Sequence, residues 1–230
     1  MTQIPDDKSP VNPLPPVVIA LVLILGVIEL VLSGADHGIL GGPEGIGWRT
    51  TAIETFGFFT SVFDWMIENS RFPIHHVWRF ITYAFAQPDP MQTVFVAVFV
   101  LALGKYVAEN LGQRAVLAIF FVAAVVPALI YGAISTSRVP LIGGYPPAFG
   151  LVGAFVYVLW MRLRASGQDG RVALVIFAFF TLVQVGYGLW FSPSIVWITQ
   201  LLGLWIGTAM GWLLFPGRLG RILERVRSRG

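Results

Sequence analysis

Six apolar stretches separated by short polar segments constrain this chain more than any other feature of its sequence. They run over residues 17–32, 93–107, 115–134, 148–163, 172–191 and 195–215. A helix needs about 20 mostly apolar residues to cross a bilayer, so we predict six membrane spans. The stretches 93–107 and 148–163 are short, and we expect flanking residues or surrounding protein to complete those two crossings. Pro127 should kink the third span, because it removes a backbone donor inside the helix.

The composition supports this class and excludes others. The chain has 230 residues, of which 56% are hydrophobic and only 12% are charged. A soluble domain carries about 25% charged residues, so a soluble enzyme, a nucleic-acid-binding protein and a disordered chain are all excluded. The absence of cysteine excludes disulfides, thiolate catalysis and cysteine-ligated metal sites. We expect an all-α membrane protein with no cofactor and no metal.

The placement of lysine and arginine predicts the orientation, because cytoplasmic segments carry the excess of these residues. With the N-terminus inside, the cytoplasmic segments hold eleven of them: Lys8, Lys105, Arg114, Arg162, Arg164, Arg171, Arg218, Arg221, Arg225, Arg227 and Arg229. The external segments hold four: Arg49, Arg71, Arg79 and Arg138. We therefore predict that both termini are cytoplasmic, and that the membrane is the plasma membrane of a bacterium.

The chain divides into a cytoplasmic tail over residues 1–15, a membrane domain over 16–216 and a basic cytoplasmic tail over 217–230. We expect the basic tail to contact anionic lipid headgroups rather than nucleic acid. The first span contains Glu29 and follows Asp6 and Asp7, which favours a retained helix over a cleaved signal peptide. Glu29 is interpreted as a carboxylate that reaches the membrane surface; the alternative is a buried polar contact with a neighbouring helix.

An external loop over residues 35–91 is the largest segment between spans. Its apolar residues recur at spacings of three and four from Ile53 to Met66. This period predicts one amphipathic helix lying flat on the outer membrane surface. Trp48, Trp65 and Trp78 suit the headgroup level, where an aromatic ring with one polar edge is favoured.

Several short motifs follow one another in a characteristic order. They are Trp78-Arg79-Phe80-Ile81-Thr82, Gly104-Lys105-Tyr106-Val107, Leu111-Gly112 before Gln113-Arg114, Phe149-Gly150-Leu151-Val152-Gly153-Ala154, and Gly203-Leu204-Trp205-Ile206-Gly207 with Gly211. Together, over residues 72–215, they resemble the rhomboid family of intramembrane serine proteases. The resemblance implies a six-helix bundle with an interfacial first loop, in which Trp78, Arg79, Thr82 and the three glycines of the last span are structural.

The residues at the family's catalytic positions differ from those of an active protease. The resemblance aligns the nucleophilic serine of the G-x-S-G motif with Tyr145, and the following glycine with Pro146. It aligns the catalytic histidine of the last span with Gln200, and the oxyanion-binding histidine and asparagine of the second span with Gln92 and Val96. These replacements imply a catalytically inactive member of the family, a pseudoprotease.

The chemistry of the remaining residues leads to the same expectation. The three histidines, His37, His75 and His76, all lie in the external loop, and no serine occurs between Ser137 and Ser166. Hydrolysis through a hydroxyl nucleophile needs an adjacent base, and the amide of a glutamine cannot accept and return a proton as imidazole does. We therefore expect no hydrolytic activity.

Other polar residues have simpler interpretations. The adjacent histidines His75 and His76 should point apart and form polar contacts at the interface, not a metal or haem site. Arg79 is expected to brace the loop through hydrogen bonds. Gln184 and Gln200 are expected to form hydrogen bonds between helices, which are worth about 1 kcal/mol each.

Two functions remain open at this stage, and an active intramembrane serine protease is a disfavoured third. The resemblance to inactive rhomboid relatives, together with the short second span and the thinned groove it would leave, favours a protein that binds transmembrane segments of client proteins and affects their assembly, sorting or degradation. In that case Tyr145-Pro146-Pro147 fills the former substrate site; drift without a new role is the alternative. The second function is a dedicated subunit or assembly factor of one membrane complex. Its docking face, or simply a lipid-facing belt, would be formed by Phe177, Phe179, Phe180, Trp190, Trp197, Trp205 and Trp212.

Overall fold

The computed structural model describes residues 13–192 and 194–215. Within these ranges the chain forms ten α-helices, and six of them are long and apolar enough to cross a membrane. The six are α1 (Pro16–Asp36), α6 (Pro90–Leu111), α7 (Gln113–Ile134), α8 (Tyr145–Ala165), α9 (Arg171–Trp190) and α10 (Trp197–Leu214). The predicted six-span architecture is confirmed. The predictions for the two tails lie mostly outside the described residues.

Flanking residues complete the second and fourth spans, as expected from their short apolar stretches. Helix α6 has 22 residues and α8 has 21. Both begin earlier than the apolar stretch because their first turns contain proline, whose missing N–H costs nothing at that position. The side chain of Asp89 also accepts a hydrogen bond from the backbone N–H of Gln92 and caps α6. No thinned groove follows from the length of the second span.

The external loop contains four short helices instead of one amphipathic helix. They are α2 (Trp48–Phe56), α3 (Thr60–Glu68), α4 (Ile74–Val77) and α5 (Arg79–Thr82). The predicted helix over residues 53–66 is interrupted at Gly57–Phe59, where the backbone is extended. There Phe58 pairs its backbone with Leu141 in the segment between α7 and α8 through two hydrogen bonds of 3.0 and 2.8 Å. This pairing fastens the external loop to the segment that leads into α8.

Helix α8 lies at the centre of the bundle. Twelve of its residues are buried, from Pro146 to Val158, and it packs against α6, α7, α9 and α10. By contrast, only Ala173, Gln184 and Gly188 are buried in α9. Helix α9 is therefore a peripheral helix that exposes most of its apolar surface. Helix α7 continues through Pro127, which is buried.

Small residues allow α8 and α10 to approach at backbone distance. A Cβ added to Gly203 would meet the carbonyl oxygen of Pro146, and one added to Gly207 would meet the carbonyl oxygen of Gly150. Gly211 continues the series: its Cβ would lie 3.2 Å from the Cα of Ala154. The small residues on both helices are four apart, so they lie on facing stripes. This close contact sets the position of the first turn of α8.

Candidate functional site

A cavity of about 580 Å³ lies at the end of the bundle where α6, α8 and α10 begin and α9 ends. This volume falls within the range of about 300–1,000 Å³ usual for ligand pockets. The polar groups of the cavity wall are mainly uncharged amides and hydroxyls. The polar residues of the wall are Gln92, Tyr145, Gln184, Tyr187, Ser192, Ser194 and Gln200. Three of the four positions aligned with the family's catalytic residues therefore share one cavity.

Tyr145 is the first residue of α8 and lines this cavity. The chain reaches it through Gly143, whose φ of +94° is a conformation that favours glycine. The backbone N–H of Gly143 donates to the carbonyl of Tyr83 at 2.9 Å, which fixes the approach to the helix. The Tyr145 ring meets the Phe149 ring edge-on, with 6.4 Å between centroids. The phenol is thus held by the first turn of its own helix.

A buried glutamine that sequence reasoning missed organises the segment before Tyr145. The side-chain oxygen of Gln87 accepts hydrogen bonds from the Gly144 N–H at 3.2 Å and from the Gln92 amide at 3.1 Å. Its amide nitrogen donates to the Ala84 carbonyl at 2.9 Å. Nothing in the sequence distinguishes Gln87 from the other glutamines. Val96, the fourth aligned position, packs beside Gly144, where an added Cβ would lie 2.7 Å from it.

Gln184 and Gln200 do not form the predicted hydrogen bonds between helices. Gln184 is 7% exposed and Gln200 is partly buried, and both face the cavity. Within the described ranges, neither amide group has a hydrogen-bond partner. Both amide groups are therefore open to the cavity and available to a ligand. The expectation of two structural hydrogen bonds was wrong.

The hydroxyl groups of the wall make few hydrogen bonds of their own. Ser192 donates its hydroxyl to the Ser194 carbonyl at 2.7 Å, and the Ser194 hydroxyl accepts the Val196 N–H at 3.5 Å. The described residues that line the cavity include no histidine, carboxylate or lysine. All three histidines lie in the loop between α1 and α6. As arranged, the amides and hydroxyls of the cavity can offer hydrogen bonds.

The adjacent histidines of the loop contact each other, which corrects the expectation that they point apart. The rings of His75 and His76 are 4.1 Å apart between centroids because both residues belong to the single turn of α4. Burial lowers the pKa of His76, and the neighbouring His75 and Arg79 lower it further. Among residues 13–192 and 194–215, no group of three or more histidine, aspartate or glutamate side chains is placed to hold a metal ion.

Residues of the Trp78-Arg79-Phe80-Ile81-Thr82 motif hold the loop together. One guanidinium nitrogen of Arg79 donates to the carbonyls of Glu54 and Gly57 at 2.9 and 3.0 Å. The hydroxyl of Thr82 donates to the Phe56 carbonyl at 3.0 Å. These bonds satisfy the last carbonyls of α2, which its C-terminus leaves open. Arg79 thus forms the hydrogen bonds that were expected to brace the loop. Burial lowers the pKa of its guanidinium.

Glu29 is 9% exposed and belongs to a buried polar cluster. Its carboxylate is paired with Arg49 at 2.6 Å and accepts hydroxyl hydrogen bonds from Ser33 and Thr93, each at 2.6 Å. Arg49 also pairs with Asp36 at 2.7 Å, and these hydrogen bonds raise its pKa. The surface interpretation of Glu29 was wrong, and the buried contact is what the structure contains. The cluster joins α1, α2 and α6.

Comparison with known proteins agrees with this architecture. The sequence model of the rhomboid domain family matches residues 75–217. The match covers more than half of the chain, from the external loop to the end of the last span. The protein belongs to the rhomboid family and is a multi-pass integral membrane protein. No curated protein matches the chain.

Proposed function

We propose that this protein is a non-proteolytic member of the rhomboid family that binds transmembrane segments of client membrane proteins. It affects their assembly, sorting or degradation without cleaving them. Members of the family are usually proteases, so the proposal has two parts. Catalysis is absent, and the cavity at the start of α8 is a binding site.

The absence of catalysis rests on the groups around Tyr145. A phenol with an ordinary pKa near 10 needs a strong base to act as a nucleophile at neutral pH. The nearest polar groups on the cavity wall are amides and hydroxyls, which do not take up a proton usefully. Gly144, whose N–H would be a candidate oxyanion donor, gives that N–H to Gln87.

The binding role rests on one observation: Gln184 is only 7% exposed, and its amide faces the cavity without a hydrogen-bond partner among the described residues. Gln200 lies on the same wall, and its amide also has no hydrogen-bond partner among the described residues. A transmembrane segment with polar side chains, or with an unwound turn whose backbone groups are free, would satisfy both amides. The cavity is reachable from the side, because Tyr187 of its rim is 55% exposed on the peripheral helix α9.

A second candidate function is supported by the outer surface of α9. Phe179, Trp190 and Phe191 are more than half exposed, with Trp190 at 79%. Large exposed aromatic side chains on one helix are typical of an interface as well as of lipid contact. A dedicated subunit of one membrane complex would cover this surface with a single fixed partner.

The location in the cell is part of the proposal. The plasma membrane of a bacterium, with both termini in the cytoplasm, follows from the distribution of lysine and arginine. The cytoplasmic end would then be the end at which α8 finishes and α9 begins.

The non-proteolytic part is tested with a fluorophosphonate probe, which labels activated serines. We expect no labelling of the purified protein beyond that of a variant carrying Ser192→Ala and Ser194→Ala, the two serines of the cavity wall. An active rhomboid protease of a different sequence is the positive control. Labelling that disappears with one of these substitutions would show a serine nucleophile and overturn this part of the proposal.

The binding part is tested with a photocrosslinking amino acid at Tyr145 in intact membranes. The matched control carries the same amino acid at Leu182, which is 69% exposed on the outer surface of α9. We expect Tyr145 to capture several proteins through their transmembrane segments, and Leu182 to capture mainly lipid. One partner at equal stoichiometry would favour the subunit function, and lipid alone at Tyr145 would exclude the cavity as a client site.

A further inference from the structure

Two adjoining cavities lie at the opposite end of the bundle from Tyr145. The first is an apolar groove of about 550 Å³ between α8, α9 and α10. The second is a polar pocket of about 480 Å³ where α8 ends and α9 begins. Trp160 and Leu174 line both, so the two cavities adjoin.

The apolar groove has a floor of buried side chains and walls of exposed aromatic rings. Val156 and Tyr157 form the floor and are 3% and 7% exposed. Trp205 and Trp212 rise on the α10 side and are about half exposed. Phe177 of α9 meets Trp205 edge-on, with 5.1 Å between ring centroids. The groove is lined by apolar residues of three spans, which suits an acyl chain.

The polar pocket adjoins the groove at the end of the bundle. Arg164 stacks over the Trp160 ring, with 4.6 Å from the guanidinium carbon to the ring centroid. No described carboxylate pairs with Arg164. Arg171 lies across the pocket with its side chain 86% exposed, and it contacts Asp169 at 3.8 Å. The pocket therefore carries two positive charges and one negative charge.

Gly170 sets the width of the pocket. A Cβ at this position would lie 2.9 Å from the Trp160 ring and 3.4 Å from the Arg164 side chain. The indole N–H of Trp160 has no hydrogen-bond partner in the described part of the chain, and it lies beside this opening. An arginine pair and a free indole donor are the groups that bind a phosphate oxygen.

We propose that this composite cavity is a binding site for one anionic phospholipid. The phosphate headgroup contacts Arg164, Arg171 and the indole N–H of Trp160, and one acyl chain lies in the groove below. The proposal commits to a lipid, because a free phosphate would leave the adjoining apolar groove uncovered. It is independent of the client-binding function, which concerns the other end of the bundle.

The test uses the full-length protein purified in detergent and titrated with dioleoyl-phosphatidylglycerol or dioleoyl-phosphatidylcholine, with bound lipids counted by native mass spectrometry. We expect one phosphatidylglycerol to bind more tightly than phosphatidylcholine. The double variant Arg164→Gln and Arg171→Gln should weaken phosphatidylglycerol binding by about thirtyfold, from about 1 kcal/mol for each arginine near a membrane surface. Inorganic phosphate should not compete at millimolar concentration.

Matched variants separate this site from general attraction to basic protein. Arg114→Gln removes an exposed arginine at the same end of the bundle but outside the pocket, and should leave binding unchanged. Asp169→Asn removes the negative charge and should strengthen phosphatidylglycerol binding severalfold. Ala209→Phe fills the groove and should weaken both lipids. Equal binding of the two lipids, or an equal loss with Arg114→Gln, would overturn the proposal.

Discussion

Two buried glutamines show how differently the same side chain is used in this protein. Gln87 is 2% exposed, and its amide takes part in three hydrogen bonds. Gln184 is 7% exposed and forms none with the described residues. Removal of a satisfied buried amide leaves its partners unpaired, whereas removal of an unsatisfied one removes a cost. The two positions should therefore respond in opposite directions to the same substitution.

We predict that Gln184→Leu leaves the free energy of unfolding unchanged or raises it by about 1 kcal/mol. The matched variant Gln87→Leu should lower it by about 2 kcal/mol or more, since the Gly144 N–H and the Ala84 carbonyl lose their partner. Reversible unfolding in mixed detergent micelles measures both. Destabilisation by Gln184→Leu equal to that by Gln87→Leu would mean that Gln184 has a structural role.

The Glu29–Arg49 ion pair is a second place where one substitution should change the free energy of unfolding. Glu29→Gln should lower the free energy of unfolding by about 3 kcal/mol, because the guanidinium of Arg49 loses the more buried of its two charged partners. Asp36→Asn removes the other carboxylate on Arg49, but that carboxylate is 35% exposed, and its loss should cost about 1 kcal/mol or less. Thermal unfolding of both variants under identical conditions is the comparison. Equal effects would contradict the assignment of Glu29 as the buried partner.

Residue-scale contacts were the part of the site that the sequence predicted least well. The sequence places Gln184 and Gln200 in spans, and a polar amide in a span usually finds a partner on another helix. Whether it does depends on the distance between helices, which no local pattern contains. Glu29 was misread for the same reason, because its partner Arg49 lies in a loop whose return to α1 is a long-range contact.

At the scale of elements, the contact between α8 and α10 determines where the cavity lies. The glycines of α10 bring its backbone against the first turns of α8, so that Tyr145 and Gln200 come to face one space. The family motif predicted this small-residue series from sequence alone, because spacing along a helix fixes which residues share a face. The structure adds the residues of α8 that face these glycines, which are Pro146, Gly150 and Ala154.

We predict that Gly207→Ala lowers the free energy of unfolding by about 1–3 kcal/mol, since the new methyl group would meet the Gly150 backbone and force the helices apart. The matched variant Gly186→Ala lies in a span where nothing approaches within 4 Å. It should be neutral or gain up to about 1 kcal/mol from helix propensity. Similar destabilisation by both would argue against close packing as the reason for Gly207.

The elements themselves were well predicted where periodicity or hydropathy is strong, and poorly where the backbone changes direction. All six spans were found, but their ends moved because α6 and α8 start at prolines outside the apolar stretch. The helix expected over residues 53–66 is broken where Phe58 pairs with Leu141, 83 residues away along the chain. Its apolar period continues across the break, so the sequence alone does not indicate it.

At the scale of the whole molecule, the absence of cysteine allows a direct test of orientation. A single cysteine at Ser166, which ends α8, should react with a membrane-impermeant maleimide only in inverted vesicles, because arginine-rich ends face the cytoplasm. A single cysteine at Arg71, in the external loop, should react only in intact cells. The reverse pattern would contradict the predicted orientation.

The whole molecule has two separate cavities on a shared core. The amide-lined cavity lies at one end of α8, and the polar pocket with Arg164 lies at the other. Between them, buried residues from Ala148 to Val158 keep the central helix in place. Under the proposed function, the core preserves the family fold, and the amide-lined cavity binds a client segment without cleaving it.

The most direct measurement is the yield of protein captured by a photocrosslinker at Tyr145, with and without the amides of Gln184 and Gln200. The account predicts that Gln184→Leu combined with Gln200→Leu reduces capture severalfold, while the protein remains folded with an unchanged or higher unfolding midpoint. Unchanged capture in a folded double variant would contradict the claim that these amides hold a client segment in the cavity.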